Sequence, residues 1–347
     1  MKHDACCDLE PSDALAKRDY VLFISGTMNP PHVGHVRLGF SAADRLRAHG
    51  HKVSAICYAP VHDNYLCNKV IAKRSTGSTL SVTDKIAFPM SERCTLLRTL
   101  IDNEASADVK LCHVLDYEHS SGDASLLTSS PGYWAPKLPG GYLMTVPTST
   151  VIAHFASHSP LMRSGTRLGV VFGVDNMANM ATWNHPERLF AQADLILLAR
   201  ATPRVAMARD PSELLSALKH LQIDVAVPVV YGDEEVLGSA IGSFVNRIAT
   251  GDGALFLLPA LEGQDEGLSS TRIREAVGAQ LTADIGDEQR AEPDLAGTST
   301  MPAEAILAQH GYPASSLAHL IRVSTNGEQT VHEMIASGKA RREWVVG

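Results

Sequence analysis

"FISGTMNPPHVGHVRLGF", residues 23–40, is the stretch on which the fold turns. A short apolar run ends at Gly26, a Pro-containing loop follows, and His32 and His35 stand three apart where a helical pattern begins. The apolar run, beginning at Tyr20, reads as a strand buried on both faces. Val36, Phe40, Ala43 and Leu46 recur at helical spacing and form one stripe of the following helix. Gly26 suits a tight turn and close approach of the backbone to a ligand. Asn29 and the Pro30–Pro31 pair shape a fixed loop, and Gly34 removes a side chain from the helix start. Histidines three apart at a helix beginning point the same way. The helix N-terminus adds N–H donors and the positive end of its dipole. The junction therefore reads as an anion cradle with two imidazoles, suited to phosphate. A zinc site would need a third ligand at a sensible spacing, which the sequence does not offer, so no metal ligand is assigned.

Moving outward, similar runs occur at 52–60, 108–117, 167–175, 193–200 and 254–260. Helical patterns lie between them, one carrying Ile86, Met90, Leu97 and Leu100. Alternating strands and helices predict an α/β chain with a Rossmann-like, doubly wound parallel sheet. Its ligand should sit beyond the carboxyl ends of the strands. The expected organisation is an N-terminal extension over 1–19, one domain over 20–312, and a C-terminal extension over 313–347. Insertions are expected near 118–150, 204–250 and 281–300. The second holds two helical stretches around "DVAVPVVYG" with a further strand as an option.

The chain has 347 residues, 45% of them hydrophobic, enough to bury a core without staples. A net charge of −8 argues against general binding to nucleic acid or anionic membrane. The six cysteines form no paired metal pattern, and Cys57 and Cys112 lie in apolar runs as buried small residues. With neither a secretory h-region nor an apolar run of spanning length, the expected location is cytoplasmic, nuclear or both.

Late in the chain stands "GLSSTRIREAV", 267–277. Ser269 or Ser270 is an N-cap, and Ile273, Ala276 and Val277 form the apolar stripe of a helix. Thr271, Arg272 and Arg274 project from its first turn, where donors and cations suit phosphate.

Together the two segments resemble the H/T-x-G-H and I-S-S-T-x-I-R signatures of the nucleotidylyltransferase superfamily, with Leu268 in place of the usual Ile. The resemblance implies a Rossmann-like domain with a C-terminal helical segment that carries the second signature. It also implies that His32 and His35 contact a nucleoside triphosphate and stabilise charge at its α-phosphate, His35 the more important. Ser269, Ser270, Thr271 and Arg274 would hold the β- and γ-phosphates. "GVVFGVDNMANMATWNHPERL", 169–189, is similar to the G-x-D-x(7)-W segment of nicotinamide and nicotinate mononucleotide adenylyltransferases. Gly173 would admit the ligand, Asp175 would accept from ribose hydroxyls, and Trp183 would stack on the pyridine ring.

"APVHDNY" (59–65), "FPMSERCTLLRTLI" (88–101) and "MPAEAILAQHGY" (301–312) look like segments of the eukaryotic-type enzymes. The second would bring Arg93 to the mononucleotide. Those enzymes carry a Lys where this chain has Leu66, and Lys69 and Lys73 are nearby cations. The reaction implied is ATP plus nicotinamide or nicotinate mononucleotide giving NAD or deamido-NAD and pyrophosphate. Backbone N–H groups of Gly26 and Thr27 would hold the mononucleotide phosphate or the α-phosphate. Mg²⁺ would bind mainly through ATP phosphates. The expected partners are these small molecules, with no nucleic acid and no membrane; a homo-oligomer is compatible. Pantetheine-phosphate adenylyltransferases, cytidylyltransferases and a non-catalytic nucleotide-binding or chaperone-like protein are the alternatives.

Overall fold

The computed structural model describes residues 17–75, 81, 84, 86–115, 148–173, 192–198, 225–231, 243–248, 254–258, 268–285, 302–313 and 315–323. In chain order the strands are β1 (Asp19–Gly26), β2 (Lys52–Pro60), β3 (Cys112–Val114), β4 (Thr166–Gly173), β5 (Asp194–Leu198), β6 (Val225–Tyr231), β7 (Ser243–Ile248) and β8 (Ala254–Leu258). The helices are α1 (Val33–Ala48), α2 (Asp63–Ser75), α3 (Met90–Asp102), α4 (Thr148–His158), α5 (Ser270–Ile285), α6 (Ala303–Gln309) and α7 (316–323).

The strands join in one sheet of order β3-β2-β1-β4-β5-β8-β7-β6. Strands β3, β2, β1, β4, β5 and β8 run parallel, and β7 and β6 add an antiparallel edge. The chain moves outward one way through β1, β2 and β3, then returns to β4 and moves the other way. This is the doubly wound, Rossmann-like arrangement, with its topological switch between β1 and β4. Both strands end at a glycine there, Gly26 and Gly173.

Side chains alternate across the pleat and divide the core. From β1, Tyr20, Leu22 and Ile24 join the large cluster with the α1 stripe, with Leu97 and Leu100 of α3, and with Ile273, Val277 and Leu307. Phe23 points to the other face, where its ring lies 5.0 Å from that of Phe155 on α4. Helix α1 sits close over β2: a Cβ at Gly39 would meet the Tyr58 hydroxyl and Ile56, and that hydroxyl donates to Val36 O at 2.6 Å.

Four sequence expectations change in detail. Ile86 is buried but precedes α3, whose N-cap is Pro89, because that proline begins the helix rather than continuing one. The 108–117 run divides into a 3-10 turn, Ala107–Leu111, and only three strand residues. The 204–250 segment contributes two strands of the sheet, not one. The core also runs past residue 312, since Leu317, Leu320 and Val323 are buried in it. Most of the expected insertions at 118–150 and 281–300 lies outside the described residues. Among the described residues no helix is long and apolar enough to cross a membrane.

Candidate functional site

The loop from β1 to α1 is held by its carbonyl oxygens. Arg93 Nη1 donates to Thr27 O at 2.7 Å, and Arg274 Nη1 donates to Asn29 O. Ser270 Oγ donates to Pro30 O at 2.7 Å, and the Tyr312 hydroxyl donates to Pro31 O. The Asn29 side chain donates to Ile86 O at 3.0 Å and accepts from Phe88 N at 2.8 Å. These bonds hold Met28 at φ 45°, a left-handed conformation that a non-glycine residue keeps only where its surroundings impose it.

Two of those four carbonyl donors, Ser270 and Arg274, belong to the second signature segment. The two motifs, some 240 residues apart in sequence, therefore meet through direct hydrogen bonds between α5 and the loop. Ser269 is the N-cap of α5, its Oγ accepting from Arg272 N at 3.1 Å. Ile273, Ala276 and Val277 are buried beneath it, as the stripe predicts. Thr271 is exposed, and Arg274 Nη2 donates to its Oγ1 at 3.2 Å. Burial lowers the Arg274 pKa from its usual value, while Asp84 and Glu275 act in the opposite sense.

His32 caps α1 and His35 lies in its first turn. His32 N donates to His35 Nδ1 at 3.1 Å, and the ring centroids are 3.8 Å apart. Behind them is a residue that sequence reasoning missed. His310 is fully buried, with its ring edge-on to His32 at 5.9 Å. Its carbonyl accepts from Val33 N at 3.0 Å. Its Nδ1–H donates to Ile306 O at 2.6 Å, and its Nε2 accepts from Ser269 N at 3.0 Å. Burial lowers its pKa; the bond to Ile306 opposes this and nearby Arg272 adds to it.

Arg93, expected beside the mononucleotide, is engaged with the protein itself. Its side chain has no exposed surface. Besides Thr27 O it donates to Phe88 O at 2.9 Å, Val61 O at 2.8 Å and Asp63 Oδ1 at 2.6 Å. Asp63 also accepts from Met90 N at 3.2 Å. The two segments "APVHDNY" and "FPMSERCTLLRTLI" thus meet in a buried ion pair that anchors the loop. Leu66, where the similar enzymes carry Lys, is buried, and Lys69 stands over the Tyr65 ring at 5.1 Å. Asp175 and Trp183 lie outside the described residues.

Asn29, Asp63, His310 and Tyr312 were not singled out as site residues. The sequence carries one faint sign of the last two. Gly311, with φ 90°, follows α6 as a helix-ending glycine and turns Tyr312 back toward the loop. Gly26 differs from Gly39 and Gly311. A Cβ there would meet nothing nearer than Met28 at 3.9 Å, so the protein's own packing does not require a glycine. The arrangement is a rigid loop at the switch point whose carbonyl oxygens are bound from behind. Two imidazoles, two helix N-termini, hydroxyls and a guanidinium converge beside it. Such a donor set binds phosphate oxygens. Among the described residues no group of three or more His, Cys, Asp or Glu is arranged to hold a metal ion.

No protein-family model matches the chain, and no curated protein matches it. Among solved structures, the chain is similar to Plasmodium falciparum nicotinic acid mononucleotide adenylyltransferase complexed with NaAD. The identity is 12%, with 75% of this chain and 84% of that one covered and a TM-score of 0.41. The same enzyme complexed with APC gives 11% identity, the same coverage and a TM-score of 0.42.

Proposed function

We propose that this chain transfers the adenylyl group of ATP to nicotinamide or nicotinate mononucleotide, releasing pyrophosphate. The observation that carries this reading is the junction of the two signature segments, Ser270 on Pro30 O and Arg274 on Asn29 O, beside the paired histidines. The superfamily resemblance of those segments supplies the reaction, and the pyridine-nucleotide segment at 169–189 supplies the acceptor.

The mononucleotide phosphate is an anion at neutral pH, so no protein nucleophile is needed. One of its oxygens attacks the α-phosphorus of ATP. A P–O bond forms there as the bond to the bridging oxygen of the β-phosphate breaks, and pyrophosphate leaves with that electron pair. Catalysis is then in-line positioning plus neutralisation of charge. His35 and His32 sit at the start of α1 and donate to α-phosphate oxygens as charge grows. Ser269, Thr271 and Arg274, with the Ser270 backbone N–H, at the start of α5, hold the departing β- and γ-phosphates, while the Ser270 hydroxyl stays on Pro30 O. The backbone N–H groups of Gly26 and Thr27 hold the acceptor phosphate or the α-phosphate. The imidazole, hydroxyl and guanidinium donors suit phosphate rather than a hard dication, so Mg²⁺ would be held through the phosphates and keep several waters. When bound it would neutralise charge on the triphosphate.

The test is pyrophosphate release from Mg·ATP with nicotinamide mononucleotide, nicotinate mononucleotide or phosphopantetheine, and from CTP with phosphocholine. Dinucleotide formation with one or both mononucleotides is expected. Turnover with phosphopantetheine alone would assign a different acceptor, and turnover with CTP and phosphocholine alone a different donor and acceptor. No turnover with any pair, alongside ATP binding, would leave a nucleotide-binding protein.

A further inference from the structure

His310 is four-fold engaged at the point where the two signature segments meet. Its carbonyl accepts the Val33 N–H in the first turn of α1, and its Nε2 accepts the Ser269 N–H at the cap of α5. Its Nδ1–H is tied to Ile306 O one turn back on α6. Its ring edge meets the His32 ring. The bond to Ile306 fixes which nitrogen carries the proton and leaves Nε2 as an acceptor. One residue, through its carbonyl and its side chain, thus sets the start of the serine-bearing helix relative to the start of the histidine-bearing one.

We propose that His310 is a positioning residue for the triphosphate, acting through Ser269 and His32 without touching ATP itself. The proposal rests on the adenylyl-transfer reading of the site. Losing the Nε2 acceptor leaves the Ser269 N–H without its partner, loosens the cap of α5 and lets the phosphate-holding groups drift from the imidazoles.

The test compares His310→Gln with His310→Asn in the full chain. Gln places an oxygen where Nε2 stands and still accepts from Ser269. Asn keeps a donor for Ile306 near Nδ1 and has nothing at Nε2. Thermal unfolding is followed first, then ATP binding by calorimetry, then kcat and KM for each substrate. The expected result is an ATP Kd about 10- to 100-fold weaker in His310→Asn, the scale of one unsatisfied buried donor. The mononucleotide KM should change less than about twofold, and His310→Gln should recover most of the ATP affinity.

Equal ATP affinity in both variants would overturn the proposal, as would unfolding of both at the assay temperature. If wild type binds ATP but turns over neither mononucleotide, the proposed reaction fails and the calorimetry alone decides His310. If wild type binds no ATP, both fail.

Discussion

The two ends of the sheet are built from similar parts to opposite effect. At the amino ends, the Asp194 carboxylate is fully buried and accepts from Arg18 at 2.6 Å, Tyr20 at 2.7 Å and Arg167 at 3.0 Å. Beside it, His51 Nδ1 accepts from Arg18 N at 3.2 Å. At the carboxyl ends, Arg93 and Arg274 bind backbone oxygens of one loop, and His310 accepts from Ser269 N. Each end has two arginines bound to protein oxygens, a buried tyrosine hydroxyl and a buried histidine that accepts a backbone N–H. Below, the charges answer one another and the cluster closes on itself. Above, the acceptors of the loop are bound from behind, and the two helix N-termini converge with the histidine pair. The same residue types stabilise in one place and prepare an anion site in the other.

The comparison breaks most visibly at Asp194. Asp194→Ala should destabilise the fold by about 3–5 kcal/mol, because two guanidinium groups lose a buried partner. Urea unfolding measures this, and ATP affinity of the folded protein should be unchanged. His35→Ala should do the reverse. Its stability should fall by only about 1 kcal/mol, the cost of the cap bond from His32 N, while kcat falls about 10²- to 10³-fold, the cost of removing a donor that stabilises charge in the transition state.

Legibility in the sequence follows the same divide. The α1 stripe could be read because its positions repeat at helical spacing, and all four residues are buried. The histidine pair could be read because its partners stand three positions apart at the start of one helix. Partners distant in sequence could not. Tyr312 reaches Pro31 and Arg18 reaches Asp194 across separations that no local pattern encodes. The strand "SFVNRI", between β8 and β6, has no legible pattern because Asn246 and Arg247 interrupt its alternation. The resemblance of its helix puts Arg93 near the mononucleotide but does not show what its side chain binds. Where its guanidinium lies depends on how α3 docks, and that is decided by Asp63 and the loop.

Two smaller effects sharpen the contrast. Gly26→Ala should fold with stability within about 0.5 kcal/mol of wild type, since its Cβ meets only ordinary contacts. Its ATP or mononucleotide affinity should nevertheless drop about tenfold, because the backbone can no longer approach the ligand closely. Calorimetry and thermal unfolding on one sample test both halves.

Acid pH probes both ends together. Burial is the largest cause lowering the pKa of His51 and of His310; Arg18 and His49 add to it at His51, and Asp194 opposes it. Each binds fewer protons folded than unfolded, so stability rises with pH and is lost as pH falls below about 6.5. The unfolding midpoint should therefore fall between pH 7 and pH 5.5. His51→Gln should flatten that fall without altering ATP affinity at neutral pH.

The most direct test of the central claim follows the α-phosphate. ATP labelled at the α-phosphorus is incubated with Mg²⁺, each mononucleotide and the full chain, and the products are separated. The account predicts that the label appears in a dinucleotide and that His35→Ala largely abolishes this transfer. Label remaining in ATP, or appearing only in ADP or free AMP while the protein is folded, would contradict it.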